Sequence, residues 1–265
     1  MSTVLQISDP HFGTELPRVV EALTALARQQ QPDLLLLSGD ITQRARPAQY
    51  RAARAFVDRL GVPVLAIPGN HDIPLFDVWA RLLKPYAQHI AAFGPDLEPM
   101  HSSDDLIVVC VNTTRPWRHK QGEVSREQID RVARAFVSAG PAQLRVVVVH
   151  QPVAVTRTED VPNLLRGHAA ALQRWSAAGV DLVLGGHIHL PYVKPLQGLA
   201  RPVWAVQAGT SVSSRVRQGA PNSVNLIRWG KDASPGTCRI EQWDYSSADQ
   251  AFAIATVAEV QPARA

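Results

Sequence analysis

Short apolar runs alternate with segments of helical period along the first half of the chain. Residues 4–7 form a brief β-rich run, and residues 33–37 form a continuous apolar run that ends in Ser38-Gly39. Residues 62–67 repeat the theme and end in Pro68-Gly69. Between them, residues 17–30 place Val20, Leu23 and Ala27 on one helical face. Residues 47–60 do the same with Tyr50, Ala53, Phe56 and Val57, and Gly61 supplies a C-terminal stop. Strand, helix, strand, helix predicts crossover units around a buried parallel or mixed sheet. In the second half, strands are expected at 106–111, 145–149 and 181–184, with a helix around 164–178. Another helix should start near Ser125, where Ser125-x-x-Gln128 reads as a capping box. From residue 199 the pattern turns strand-rich, at 203–207, 223–229 and 237–245. The last twenty or so residues, rich in alanine, predict a strand end followed by a frayed tail. The expected architecture is α/β, one domain over residues 1–265. Its core spans 1–210 and is completed by the strand-rich segment 199–250, as two packed sheets flanked by helices.

The gross numbers narrow this picture. A chain of 265 residues can bury one sizeable core. Its 46% hydrophobic and 19% charged residues exclude wholesale disorder and fibrous arrays. The N-terminus lacks the basic and apolar regions of a secretory signal, and the longest apolar runs are far too short to span a bilayer. Two cysteines, Cys110 and Cys238, do not make a disulfide framework, so a cytoplasmic location is expected, without membrane partners. A net charge of +4, supplied mostly by arginine and spread along the chain, suits a small anionic substrate. Nucleic acid is not favoured, for want of a basic stripe interleaved with aromatics. Homo-oligomerisation is left open.

Candidate chemistry lies where apolar strands run straight into metal-competent side chains. The five places are Asp9-Pro10-His11, Gly39-Asp40, Gly69-Asn70-His71-Asp72, His150 and Gly185-Gly186-His187-Ile188-His189. In an open α/β sheet, groups just beyond the carboxyl ends of strands converge although they are distant in sequence. His187 and His189, two apart on an extended segment, form a natural chelating pair. The set mixes carboxylate, imidazole and amide oxygen without thiolate, which suits Mn, Fe, Zn or Co.

In this order the five blocks resemble the signature of the calcineurin-like metallophosphoesterases, from residue 9 to residue 189. Within that family the chain looks most similar to the branch of the class III cyclic-nucleotide phosphodiesterases and glycerophosphodiesterases. The resemblance implies a four-layer α/β/β/α sandwich with two mixed sheets, the metallo-dependent phosphatase fold. It also implies two transition-metal ions, Mn, Fe or Zn. One would be held by Asp9, His11, Asp40 and His189. The other would be held by Asp40, Asn70, His150 and His187, with Asp40 bridging. His71 would face the substrate phosphate and, oriented by Asp72, assist the leaving oxygen. The implied reaction is hydrolysis of a small anionic phosphodiester, a cyclic nucleotide such as 3',5'-cAMP being one candidate, by metal-activated water attacking in line. A phosphomonoesterase, nuclease or nucleotide pyrophosphatase would use the same metals. A non-catalytic scaffold should have lost ligand positions, and this chain keeps them all. One departure is visible: many relatives carry a second histidine after the ligand, where this chain has Gln151-Pro152. Arg115, Arg118, Arg215 and Arg217, in loops after strands, are candidates for holding anionic groups.

Overall fold

A computed structural model of the protein describes residues 2–230 and 236–263. Strand β1 (Ser2–Ile7), helix α1 (Pro17–Gln30), β2 (Leu34–Ser38), α2 (Pro47–Leu60) and β3 (Val64–Ile67) follow one another as the alternation predicts. Both helices open on proline, whose missing N–H costs nothing in a first turn. β1, β2 and β3 are parallel neighbours. Two short helices follow, α3 (Val78–Leu83) and α4 (Ala87–Phe93), and then β4 (Met100–Ser102).

The second sheet is assembled from β4, β5 (Leu106–Cys110), β6 (Leu144–Val148), β7 (Leu182–Gly185), β8 (Tyr192–Pro195) and β9 (Trp204–Gln207), in the order β4-β5-β6-β7-β9-β8. Its four central strands are parallel. Helix α5 (Arg126–Ala135) starts on the expected capping box. Ser125 Oγ accepts from the Gln128 N–H at 3.2 Å, and Gln128 Oε1 accepts from the Ser125 N–H at 2.9 Å. Helix α6 (His168–Ala177) begins later than its pattern suggested, because Gly167 adopts a left-handed backbone after a 3-10 turn at Thr158–Asn163.

The chain then returns to the first sheet. β10 (Ser223–Trp229) pairs antiparallel with β1, followed by β11 (Cys238–Ser246) and β12 (Ala251–Val260), giving the order β12-β11-β10-β1-β2-β3. The expected frayed tail is therefore corrected to a ten-residue edge strand that pairs along its length with β11. Alanine is a weak strand former, so the signal was poor locally; the ladder offered by β11 decides the conformation.

Three apolar clusters make four layers. Leu5, Ile7, Leu35 and Leu37 turn outward onto α1 and α2, meeting Leu23, Phe56 and Val57. Val4, Leu34 and Leu36 turn inward and meet Val108, Val146 and Leu184 of the second sheet. Val109, Val147 and Val183 turn the other way, onto Ile129, Val132 and Trp175 of α5 and α6. Burial of both faces of each sheet explains why these strands read as unbroken apolar runs.

Candidate metal centre

The five polar blocks emerge from the carboxyl ends of β1, β2 and β3 in one sheet and β6 and β7 in the other. Backbone hydrogen bonds tie the loops together. Asp9 N–H donates to Gly39 O at 3.1 Å, His11 N–H to Asp40 O at 3.0 Å and Gly186 N–H to His150 O at 2.9 Å. Asp9, His11, Asp40, His187 and His189 all have left-handed backbones, with φ of 49°, 43°, 49°, 73° and 56°. Non-glycine residues rarely accept that conformation, and its concentration here is the strain typical of functional sites. At Gly186 a Cβ would collide with Ser8 Oγ and the Asp9 carboxylate, and at Gly69 with Asp40. Glycine is what lets these loops close on the carboxylates.

The side chains form two donor sets, which a third group of His11, Asp40 and His71 connects. Asp9, His11 and His189 make one cluster, and Asp40, His150 and His187 another. His189 Nε2 lies 3.2 Å from both Asp9 Oδ1 and His11 Nε2. Asp40 turns one carboxylate oxygen to His150 Nε2 at 3.3 Å and the other toward His11 Nε2 at 3.8 Å. Asn70 Oδ1 is 3.3 Å from His150 Nε2.

Carbonyl partners set the tautomers. His150 Nδ1 faces Ser38 O at 2.9 Å and His189 Nδ1 faces Arg215 O at 2.6 Å. A carbonyl only accepts, so each Nδ1 carries a proton and Nε2 is the nitrogen left to meet a metal at the centre. Asp9 Oδ1 and His187 Nδ1 are buried without a hydrogen-bond donor or acceptor. Buried oxygen and nitrogen lone pairs aimed at one another call for cations between them, so the donor set fits two metal ions of intermediate softness.

The electrostatics agree. Burial works against ionisation of Asp9, yet His189 beside it draws its pKa down to about 2. Asp40 is likewise held well below the ordinary carboxylate range: burial opposes, and His150 leads the groups that win. Burial pushes His11 down to about 3 and His187 to about 4, leaving both as neutral donors. His150 is also penalised by burial, but the Asp40 charge lifts it to about 9, so a metal arriving there displaces a proton.

His71 reaches the same centre, with a ring nitrogen within 4.8 Å of donor atoms of His11 and Asp40. Its backbone N–H donates to Asp40 Oδ1 at 2.8 Å, and its Nδ1 faces Gln43 O at 3.0 Å. The expected orientation of His71 by Asp72 is corrected here, since the Gln43 carbonyl performs it. The Asp72 carboxylate is buried and accepts from the N–H groups of Ile41, Thr42 and Gly69 at 2.8–2.9 Å and from the Thr42 hydroxyl. It staples the Asp40 loop to the Asn70 loop.

Three of the four loop arginines are committed elsewhere. Arg115 donates to the carbonyls of Asn112 and Thr114 and to Gln128, Arg118 pairs with Glu123 at 2.7 Å, and Arg217 holds Asp160 at 2.8 Å. Arg215 is exposed and lines a hollow of about 440 Å³ with His187 and His189. Gln151, at the position of the departure, is buried and accepts from Thr113 Oγ1 at 2.5 Å, bracing the 112–122 loop. Unforeseen were three buried amides beneath the centre. Gln6 donates to Gly185 O, Asn225 to Gln6 Oε1, and Gln207 to Gly186 O. They join the two sheets where the loops leave them. Their only trace in the sequence is a polar residue inside each apolar run.

Residues 2–191 match the model of the family described as calcineurin-like phosphoesterases. A Synechococcus protein named a probable cyclic nucleotide phosphodiesterase is 31% identical over 211 residues, covering 72% of this chain and 75% of its own. The 3',5'-cyclic adenosine monophosphate phosphodiesterase CpdA of Pseudomonas aeruginosa is 27% identical over 220 residues, 77% of this chain and 76% of its own. In fold, a dimetal phosphatase from Danio rerio aligns over 99% of both chains with a TM-score of 0.71 at 14% identity. A purple acid phosphatase from yellow lupin aligns over 98% of this chain and 53% of its own, with a TM-score of 0.75 at 12% identity.

Proposed function

Because this chain belongs to the calcineurin-like phosphoesterases and is a metal-dependent phosphoester hydrolase, we propose that it cleaves a phosphodiester, with a 3',5'-cyclic nucleotide such as cAMP as substrate. The site would use two metal ions. Asp9, His11, Asp40 and His189 would hold one; Asp40, Asn70, His150 and His187 would hold the other. Such a pair, when bound, offsets charge on the phosphoryl oxygens and lowers the pKa of water toward neutrality. Mn, Fe and Zn all suit these donors.

The residues around that centre do the rest. Ser38 and Arg215 carbonyls keep the ligand imidazoles of His150 and His189 turned inward. Asp72 fixes the spacing between Asp40 and Asn70 through the loops that carry them. His71, held at Nδ1 by Gln43 O, presents Nε2 to the centre and, when that nitrogen also carries a proton, gives it to the departing ester oxygen and is left neutral.

One observation carries the proposal: the two oxygens of Asp40 address different imidazole groups, the arrangement a bridging carboxylate needs. A panel of cAMP, bis(p-nitrophenyl) phosphate, p-nitrophenyl phosphate and single-stranded DNA, run with added Mn, Fe, Zn and Co, tests it. The cyclic nucleotide and the synthetic diester should turn over. Hydrolysis confined to the monoester or to DNA would overturn the substrate assignment.

A further inference from the structure

Beside the metal-ligand cluster, a groove of about 640 Å³ opens between the start of α2 and the α3–α4 segment. Pro47, Pro74, Phe76, Trp79, Leu83 and Pro85 give it apolar walls. Helix α3 buries none of its residues; Phe76, Trp79 and Leu83 are 78%, 76% and 72% exposed. Six residues are too few for a helix to persist on its own hydrogen bonds, and bulky apolar side chains gathered on a surface mark a place where something binds.

The groove leads to the chemistry. Arg44 and Leu75 line both it and the hollow that contains Asn70 and His71. The Arg44 guanidinium stands 5.8 Å from the centre of the Phe76 ring, and the neighbouring Gln43 is the residue that anchors His71. Among the described residues, no carboxylate lines the His71 hollow. The single acid lining the groove, Asp77, is occupied in capping α3 through the Ala80 N–H. The hollow itself, of about 10 Å³, admits no more than a water, so an occupant sits in the groove, meeting the Arg44 cation at one end and flat apolar side chains at the Trp79 end.

We propose that this groove is the ester-group subsite of the enzyme, taking a flat aromatic substituent of the phosphoester, nucleobase or aryl, against Phe76, Trp79 and Leu83. The inference rests on the proposed position of the phosphate between Asp40 and His71. A volume of this size is that of an ordinary small-molecule pocket, and stacking on Phe76 and Trp79 supplies affinity that a small alkyl ester cannot use.

The test compares methylphosphonate with naphthylmethylphosphonate, whose C–P bonds resist hydrolysis, by calorimetric titration of the metal-loaded enzyme. The naphthyl compound should bind at least about tenfold more tightly, as an aromatic contact of about 1.4 kcal/mol requires. Trp79→Ala/Leu83→Ala should bring that ratio to within about twofold while leaving methylphosphonate affinity unchanged, and Trp79→Phe should retain it. Equal affinities in the wild type, or an undiminished ratio in the double variant, overturn the groove and leave the proposed reaction standing. Failure to bind either phosphonate overturns the groove, while the substrate panel decides the reaction separately. Gel filtration and sedimentation with phosphatidylglycerol vesicles accompany the titrations. A double variant altered there, with its binding ratio intact, assigns this face to a second copy or a lipid surface and overturns the subsite.

Discussion

His150 and His189 each give their Nδ1 proton to a backbone carbonyl, and Asp40 spreads its two oxygens between opposite imidazoles. These contacts make the side chains unequal in what their loss should do. Asp40→Ala removes the donor common to both sets, so the purified protein should carry little metal by plasma mass spectrometry and show no turnover. His71→Ala should keep its metal content and lose about 10²-fold or more in kcat, the usual loss for a proton donor. Full activity in His71→Ala would take that residue out of the reaction. The candidate donors were legible together because each block sets metal-competent side chains at the end of an apolar run, three of the five blocks with glycine beside them. The anchoring carbonyls of Ser38, Gln43 and Arg215 were not, since every residue has a carbonyl and only the folded backbone aims it.

At the scale of elements, Asp72 links two loops that leave neighbouring parallel strands. Four donors converge on its carboxylate, all from the segments carrying Asp40 and Asn70. Asp72→Ala strands these buried donors at a cost of about 1–3 kcal/mol each, less what water recovers. The variant should melt well below the wild type in a calorimetric scan and bind metal weakly. A variant with wild-type melting temperature and metal content, defective only in rate, would return Asp72 to a role in orienting His71. Adjacency in sequence suggested that role. The 3-10 turn at Asn70–Asp72 instead sends the two side chains in different directions. The same lesson holds for β12, where weak local propensity was overridden by a partner strand.

For the whole molecule, the metals would act as a clasp between two sheets. Asp9, His11, Asp40 and Asn70 come from the first, and His150, His187 and His189 from the second. Ligands that bind only the folded state stabilise it by mass action, about 2.7 kcal/mol at a hundredfold excess over Kd. Chelation with EDTA should therefore abolish activity and lower the melting temperature by several degrees, about 2–4 °C per kcal/mol for a chain of this size, with both restored by added metal. Loss of activity without any thermal shift would place the ions outside the folded sandwich. Among the described residues no helix is long and apolar enough to cross a membrane.

What the order of residues determined alone was the alternation of elements, the layered class and the places where candidate donors stand, because hydrophobic period and side-chain chemistry are local properties. The folded arrangement decided which carbonyl turns each imidazole, which arginines remain unpaired and where Asp72 points. It also decided that α3 lies bare beside the centre. These depend on separate segments meeting at atomic distances, 26 residues apart for His189 and Arg215 and 112 apart for Ser38 and His150, and no local pattern encodes that meeting.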